Sequence, residues 1–280
     1  MTNRIAIITG GSRGLGRNTA VNLARRGVDV LFTYRANQKE AKSLIREAET
    51  IGRKAAGFRL DTGDVRAFDD FVTEVRKTMK SWGRERFDYL VNNAGNSLHA
   101  AFAETTEAQF DEIFHVHVKG VYFLTQKLLP LMNDGGRIVN ISSGLARFAL
   151  PGSSAYGSAK GAVEVLTRYL AKELGPRGIT ANVVAPGAIQ TDFSGGMVRD
   201  NPEINERVAE MTALGRAGVL TISDQWSQRF SRTKITGSTD RGLKSQAAWC
   251  FRGSVIAAGG SASGRFIREW PRATPTAAYL

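Results

Sequence analysis

The feature that most constrains the fold of this chain is a glycine-rich turn between its first apolar segment and a helical pattern. Residues 4–9 are apolar enough for a buried strand, and Gly-Gly-Ser-Arg-Gly-Leu-Gly follows at 10–16. Glycine allows a tight turn and a close backbone approach to a phosphate, and the helix start adds free N–H donors. A plain strand–helix turn is the alternative, but the position after the first strand favours dinucleotide binding. The candidate residues are Gly10, Ser12, Arg13, Gly14, Leu15 and Gly16.

Strand and helix patterns alternate along the rest of the chain to residue 184. Apolar strand patterns cover residues 4–9, 28–33, 55–60, 89–91, 137–142 and 179–184. Helical patterns cover residues 20–24, 41–51, 68–79, 110–131 and 154–174. This alternation predicts an α/β fold, a Rossmann-type doubly wound parallel sheet flanked by helices in a single domain. Ligands of such sheets bind at the carboxyl ends of the strands.

The end of the second predicted strand bears on the choice between NAD(H) and NADP(H). An acidic side chain there would hold the ribose 2′-hydroxyl of NAD, but this chain has Thr-Tyr-Arg at 33–35. Arg35 and Arg13 offer two guanidinium groups and no carboxylate, which suits a 2′-phosphate. We therefore predict that NADP(H) is favoured, and the alternative is that both arginines are only surface charges.

Tyr156 and Lys160 lie near the start of a predicted helix. Their spacing of four residues puts both side chains on one helix face, with Cβ atoms about 5–6 Å apart. An ammonium that close is expected to lower the tyrosine pKa from about 10, so that Tyr156 exchanges a proton with a substrate oxygen. Ser143, after the fifth predicted strand, is placed to hydrogen-bond the same oxygen. Taken alone, such a pair is more often a solvated helix face.

Several motifs in this order resemble the short-chain dehydrogenase/reductase family, in particular its NADP(H)-type carbonyl and oxoacyl reductases. They are the turn at 9–16, Asn-Asn-Ala-Gly at 92–95, Ser143, Tyr156 with Lys160, and Pro-Gly at 186–187. The resemblance covers roughly residues 3–220. It implies an NAD(P)-dependent oxidoreductase that transfers a hydride between NADP(H) and a carbonyl or secondary alcohol.

The resemblance also implies roles for individual residues. Tyr156 would be the acid/base, Ser143 would orient the carbonyl, and Lys160 would also hold the nicotinamide ribose. Further implied cofactor contacts are Asp61 and Thr62 at the adenine, Asn93, Ala94 and Gly95 in the cleft, and Pro186, Gly187, Ile189 and Thr191 beside the nicotinamide. Proteins of this family typically assemble as homodimers or homotetramers.

One position departs from the family pattern. Three residues before a helical glycine the family commonly has an asparagine, and this chain has His117. The asparagine is ascribed a water-holding role in a proton relay to the lysine, so His117 is a fourth catalytic candidate. Two alternatives stay open: the backbone carbonyl alone supplies the relay, or His117 simply packs within its helix.

Residues 191–215 are expected to form a mobile segment that covers the substrate, as in the family that the chain resembles. They contain Gly-Gly at 195–196 and Asn-Pro at 201–202, but no anchoring charge that sets a substrate class. Phe148, Phe193 and Met197 suggest an apolar pocket, with core packing as the alternative.

The family pattern stops near residue 220. We therefore predict a Rossmann-fold domain with the cofactor and catalytic sites at 1–220 and a basic, poorly ordered tail at 221–280, rich in Ser, Thr, Gly and Arg. When synonymous codons from Leu220 onward are regrouped by one base, they can encode a run from Asp-Asp-Ile-Gly-Pro to Glu-Val-Ser-Gly-Gly-Met. That run resembles the missing family ending. Our hypothesis is a frameshift near residue 220, and a divergent extension is the alternative.

Composition narrows the classes of partner. The chain carries a formal charge of +12, but its basic residues are spread out rather than interleaved with aromatics, so we expect no nucleic-acid partner. The sequence contains no apolar run of 18 residues, so we expect no membrane span. A single cysteine and the lack of a signal-peptide layout predict a cytoplasmic protein. His99 and His115 have no ligand-like partners, so we predict no metal site.

Two functional hypotheses follow from these observations. The first is an oxidoreductase acting on a small carbonyl or alcohol substrate. The second is a non-catalytic or impaired NADP-binding protein, in which the altered tail prevents the substrate pocket from forming.

Overall fold

Within residues 4–220, six parallel strands form one sheet. The computed structural model describes residues 4–220, 250–251 and 254–255, and the strand order of the sheet is β3-β2-β1-β4-β5-β6. The strands are Arg4–Ile8 (β1), Val28–Tyr34 (β2), Ala55–Arg59 (β3), Phe87–Asn92 (β4), Met132–Ile141 (β5) and Thr180–Val184 (β6). A separate antiparallel pair consists of Cys250–Phe251 (β7) and Ser254–Val255 (β8).

Helices connect consecutive strands of the sheet, and the last two helices follow β6. They are Gly14–Arg25 (α1), Gln38–Thr50 (α2), Phe68–Ser81 (α3), Glu107–Phe114 (α4), Gly120–Leu128 (α5), Ser154–Leu174 (α6), Met197–Asp200 (α7) and Pro202–Met211 (α8). The single helix predicted over 110–131 is in fact α4 and α5, joined by a π-helical turn, His115–Lys119. Strand β5 also begins at Met132, five residues before its predicted start. The π-helical turn lies next to the site described below, since it contains His117.

Both faces of the sheet are covered, because successive side chains of a strand point to opposite sides. Ala6 and Ile8 of β1 face one core, which includes α1 and α2, and Ile5 and Ile7 face the other, which includes α3 and α5. All four side chains are fully buried. The predicted doubly wound single domain is thereby confirmed. Its strand order reverses between β1 and β4, where sheets of this kind bind ligands.

Four polar side chains form a buried hydrogen-bond network across the sheet. Asn92 of β4 donates from Nδ2 to Thr125 Oγ1 of α5 (3.0 Å) and to Asn140 Oδ1 of β5 (2.8 Å). Asn140 Nδ2 in turn donates to Thr167 Oγ1 of α6 (2.8 Å). Because buried polar groups are costly unless paired, the network fixes both helices relative to the central strands.

The chain belongs to this fold as far as Gly218. Gly218 forms a parallel bridge with Ile189, and its carbonyl accepts a hydrogen bond from the Gln190 N–H (2.9 Å). The predicted tail lies outside the described residues except for β7 and β8, so its poor order stays a prediction. None of the helices in the described part of the chain is long and apolar enough to cross a membrane.

Candidate active site

The glycine-rich turn between β1 and α1 is built for close backbone contacts. Gly10 and Gly14 have φ of +63° and +54°, a conformation that side chains rarely adopt. A Cβ atom on Gly10 would lie 2.9 Å from the Ala94 Cα, and one on Gly16 would collide with the Gly10 carbonyl oxygen. The N-cap of α1, Arg13, supplies no side-chain acceptor to the first amides of the helix. Those open N–H groups suit a phosphate, so the turn fits a dinucleotide.

Residues after β4 hold this turn in place. The Thr9 hydroxyl oxygen accepts hydrogen bonds from the backbone N–H groups of Asn93 and Ala94, both at 2.9 Å. Asn93 Nδ2 donates to the carbonyl oxygens of Thr9 (2.9 Å) and Gly10 (3.1 Å). The structure therefore brings the Asn-Asn-Ala-Gly motif and the glycine turn together, with Asn93 acting as the tie between them.

Arg35, directly after β2, forms an ion pair with Asp61, which the residues at 33–35 alone did not indicate. Its Nε atom lies 3.2 Å from the Asp61 Oδ2 atom, and the two side chains are 68% and 44% exposed. The pair forms because β2 and β3 are neighbours, which brings their carboxyl ends together. Arg13 is exposed nearby on the same edge of the sheet. Thr62 is buried, and its carbonyl oxygen fills the space beside Gly120 of α5.

The candidate proton donor lies on α6. Burial raises the pKa of Tyr156 to about 12, and a hydrogen bond with Ser143 opposes that rise. The predicted lowering of this pKa by the neighbouring lysine is therefore wrong, because desolvation of the phenolate outweighs it. At neutral pH Tyr156 is protonated and can donate.

Lys160 is one turn further along α6 and is buried. Its Nζ atom lies 5.5 Å from the centroid of the Tyr156 ring and donates to the Ile141 carbonyl oxygen at 2.8 Å. Burial lowers the pKa of Lys160 to about 7, because an ammonium without water is costly. A negative charge formed on Tyr156 would interact strongly with the ammonium of this buried lysine.

His117 packs inside the π-helical turn against the tyrosine. Its ring is perpendicular to that of Tyr156 with centroids 5.3 Å apart, and its Nε2 atom lies 2.9 Å from the Asn96 carbonyl oxygen. Burial, and then the charge of Lys160, lower the pKa of His117 to about 3. The imidazole is therefore neutral, with Nε2 the donor and Nδ1 buried without a partner among the described residues. Its ring also occupies the space that a side chain at Gly95 would need.

Two polar contacts near the catalytic candidates escaped the sequence reasoning. One is the Asn96 carbonyl oxygen, which holds His117. The other is Ser142, whose hydroxyl donates to Glu164 Oε1 (3.0 Å) and to the Lys160 carbonyl oxygen (3.3 Å). The Ser-Ser pair before the predicted loop was the available signal for Ser142. The Asn96 contact had none, because it depends on the π-helical turn.

The residues expected beside the nicotinamide lie between β6 and α7. The Pro186 carbonyl oxygen accepts from the Gly144 N–H at 3.0 Å, next to Ser143, and the half-buried Gly187 follows it. Ile189 is buried. Thr191 lies opposite the glycine turn, with its Cβ 3.7 Å from the position that a Cβ on Gly14 would take. The two predicted halves of the cofactor cleft thus face each other.

Of the predicted apolar pocket, the structure brings Phe193 to Tyr156, with ring centroids 6.3 Å apart. Phe148 instead packs against Gly144, and Met197 is partly exposed on α7. A cavity of about 790 Å³ lies away from these residues at the amino ends of β4 and β5. Its lining residues are Arg86, Asp88, Pro130, Asn133, Asp134 and Arg177.

Within the described residues, no group of three His, Cys, Asp or Glu side chains lies close enough together to bind a metal ion.

Comparisons with known proteins add to this geometry. The sequence profile of the short chain dehydrogenases matches residues 4–202. Hydroxynaphthalene reductase arp2 of Aspergillus fumigatus is 32% identical over 193 residues, which cover 69% of each chain. The solved structure of LugOII, a promiscuous reductase that catalyses keto-reduction at C1 during lugdunomycin biosynthesis, has a TM-score of 0.76 and 38% identity over 81% of this chain and 90% of its own. That of the angucycline C-6 ketoreductase LanV with bound NADP has a TM-score of 0.78 and 31% identity over 82% and 89%.

Proposed function

We propose that this chain, which belongs to the short-chain dehydrogenase family and is an oxidoreductase, reduces a ketone to a secondary alcohol with NADPH or catalyses the reverse reaction. The observation that carries the proposal is Tyr156, a half-buried and protonated phenol that is hydrogen-bonded to Ser143 and packed against Lys160. The names of the relatives, a hydroxynaphthalene reductase and two ketoreductases, support a ketone as substrate. Residues 1–220 form the proposed catalytic domain.

The cofactor would lie across the carboxyl ends of β1 and β4. Its pyrophosphate would meet the open amides of the glycine turn, and Arg13 and Arg35 would meet a 2′-phosphate. When bound, the nicotinamide supplies or accepts the hydride. The remaining proposed contacts are Gly10, Ser12, Gly14, Leu15 and Gly16 at the phosphates, Asp61 and Thr62 at the adenine, and Asn93, Ala94, Gly95, Tyr156, Lys160, Pro186, Gly187, Ile189 and Thr191 around the nicotinamide riboside.

Proton transfer follows from the environment of Tyr156. Its hydroxyl donates the proton to the substrate oxygen, and the Ser143 hydroxyl hydrogen-bonds the same oxygen and polarises the carbonyl. The phenolate left behind is stabilised by the Lys160 ammonium, which is buried within one helical turn. His117 is neutral, so we assign it no proton transfer by its own ionisation. Its ring hydrogen-bonds to the Asn96 carbonyl oxygen and packs against the Tyr156 ring.

The test is Tyr156→Phe, which removes the proton donor and keeps the ring. We expect turnover of a panel of ketones to fall at least about a hundredfold, as for loss of a general acid, while NADPH affinity changes little. The measurements are NADPH oxidation and cofactor fluorescence titration. Tyr169→Phe, on the exposed side of the same helix, is the matched control. Turnover in Tyr156→Phe equal to that of the unaltered chain would refute the assignment.

A second candidate function is a nucleotide-binding protein with impaired catalysis. The observation that favours it is the unmatched end of the chain, since the family profile stops at residue 202 and the solved structures cover only 81–82% of this chain. NADPH binding without oxidation by any ketone would favour this candidate. From family membership we also propose that the chain assembles as a homodimer or homotetramer and is located in the cytoplasm.

A further inference from the structure

The segment after Thr191 carries an aromatic ring to the candidate proton donor. The Phe193 ring centroid lies 6.3 Å from that of Tyr156, and the two ring planes are tilted by 49°. Although large and apolar, the Phe193 side chain is 41% exposed. Much of its ring is therefore open to contact beside the Tyr156 ring.

The position of Phe193 is set by the chain on both sides of it. Its N–H donates to the Thr191 hydroxyl oxygen at 3.2 Å. The next three residues, Ser194, Gly195 and Gly196, all have left-handed backbones, with φ of +55°, +69° and +81°. Ser194 is the one residue other than glycine with positive φ in the described part of the chain. Such strain is retained only where the surroundings hold it, and here it reverses the chain directly after the ring.

Arg199 joins the two sides of this turn through ion pairs with Asp192 and Asp200. The Arg199 Nε and Nη2 atoms donate to the two carboxylate oxygens of Asp200 at 2.7 and 2.8 Å, and Nη1 donates to Asp192. Asp192 directly precedes Phe193, so Arg199 joins the base of the ring's segment to the end of α7. This arrangement of ion pairs requires glycine at position 196, because a Cβ atom there would collide with the Asp200 carboxylate.

The charged side chains of this segment are all paired, with one negative charge in excess, because two aspartates share one arginine. Asp192, Arg199 and Asp200 are the charged residues within 192–200, and all three are engaged with one another. Next to Tyr156 the segment thus presents aromatic surface and no unpaired ion. A flat aromatic ring gains more from such a surface than a saturated ring of similar size, because aromatic pairs attract through their quadrupoles as well as their area.

We infer that Phe193 is a specificity-determining residue that favours ketones whose carbonyl carries a flat aromatic ring, and that Arg199 is the positioning residue that holds Phe193 beside Tyr156. The inference rests on the proposed function, since it names the substrate class of the same site.

The test compares two methyl ketones of equal carbon number, acetophenone and cyclohexyl methyl ketone. Their dissociation constants are measured on the full chain with oxidised NADP, which permits binding without reduction, and kcat and KM are then measured with NADPH. The ratio of the two affinities removes effects of size and general apolarity. In the unaltered chain we expect acetophenone to bind more tightly.

Phe193→Ala and Phe193→Leu are expected to lower that ratio about threefold to tenfold, the range for one aromatic pair, and Phe193→Tyr should keep it. Arg199→Ala should lower the ratio partially by raising KM for acetophenone, with kcat for cyclohexyl methyl ketone within about twofold of its original value. Arg207→Ala is the matched control, an exposed arginine on α8 of the same segment; it should change neither ratio nor KM.

An affinity ratio near one in the unaltered chain, or an equal change for both ketones in Phe193→Leu, would overturn the inference. So would failure of both ketones to bind. If the affinity ratio behaves as expected but NADPH is never oxidised, the proposed function falls and the role of Phe193 stands. If both ketones are reduced and Phe193→Leu discriminates as before, the inference alone falls.

Discussion

At the proposed catalytic end of the cleft the titratable groups Lys160 and His117 are buried, whereas at the proposed adenine end Arg35 and Asp61 are exposed to solvent. Lys160 and His117 are almost entirely buried, and burial lowers their pKa values to about 7 and about 3. Arg35 and Asp61 form an ion pair in which both side chains are exposed. Charge interactions are strong where water is excluded and weak where it screens them. Catalysis should therefore depend steeply on single side chains, and cofactor preference only gradually.

The most direct test of this comparison is Lys160→Met, which keeps most of the length of the side chain and removes its charge. We expect kcat for ketone reduction to fall about a hundredfold or more, because the phenolate of Tyr156 loses its neighbouring ammonium. Lys172→Met, exposed on the same helix, is the control. Thermal unfolding establishes that the variant is folded; a folded variant with undiminished kcat would show that the buried charge has no part in catalysis.

The next largest effect is a pH dependence that has opposite signs for activity and stability. Since the pKa of Lys160 is about 7 in the folded chain, its charged fraction, and with it kcat for reduction, should fall up to about tenfold per pH unit above 7. The unfolded chain holds this proton up to about pH 10.4. Between these values it binds more protons than the folded chain, so this group's contribution to stability rises with pH.

Both slopes are measured on the same chain, by initial rates of NADPH oxidation and by denaturant unfolding without cofactor between pH 6 and pH 9, roughly the window set by the cited pKa values. Lys160→Met should flatten the part of the stability slope that Lys160 causes. A stability slope that is identical in both proteins would contradict the assignment of this titration to Lys160.

At the adenine end the expected effects are smaller. Arg35→Ala should raise KM for NADPH about threefold to tenfold, as for loss of an exposed charge-assisted contact, and leave KM for NADH nearly unchanged. The difference should shrink as salt is added, because both partners are exposed. Asp61→Asn keeps the shape and removes the carboxylate that pairs with Arg35, so it should increase NADPH preference slightly. Equal changes in KM for both cofactors in Arg35→Ala would argue against a phosphate contact.

The features that could be predicted from the sequence also differ in kind from those that could not. The glycine turn, the alternation of strands and helices, and the spacing of Tyr156 and Lys160 are local patterns, and local geometry follows from them. The extent of α6 and the fold class were predicted correctly for that reason. The roles of the site residues remain proposals, since the geometry alone does not test them.

What the sequence could not supply depends on neighbours in space. The Arg35–Asp61 pair exists because β2 and β3 are adjacent, and the two residues are far apart in the chain. The high pKa of Tyr156 comes from burial, which reversed the expectation based on its spacing from Lys160. The contact of His117 with Asn96 needs a π-helical turn, which no periodicity in this segment indicated.

The buried network through Asn92 has a mechanical consequence. Asn92 is followed directly by Asn93, which ties down the glycine turn, and through Asn140 it reaches Thr167, two turns beyond Lys160 on α6. A short covalent and hydrogen-bonded path thus runs from the glycine turn to α6, the helix that carries the proposed proton donor. Moving one end relative to the other would break buried hydrogen bonds, so we expect the proposed hydride and proton sites to keep a nearly constant separation.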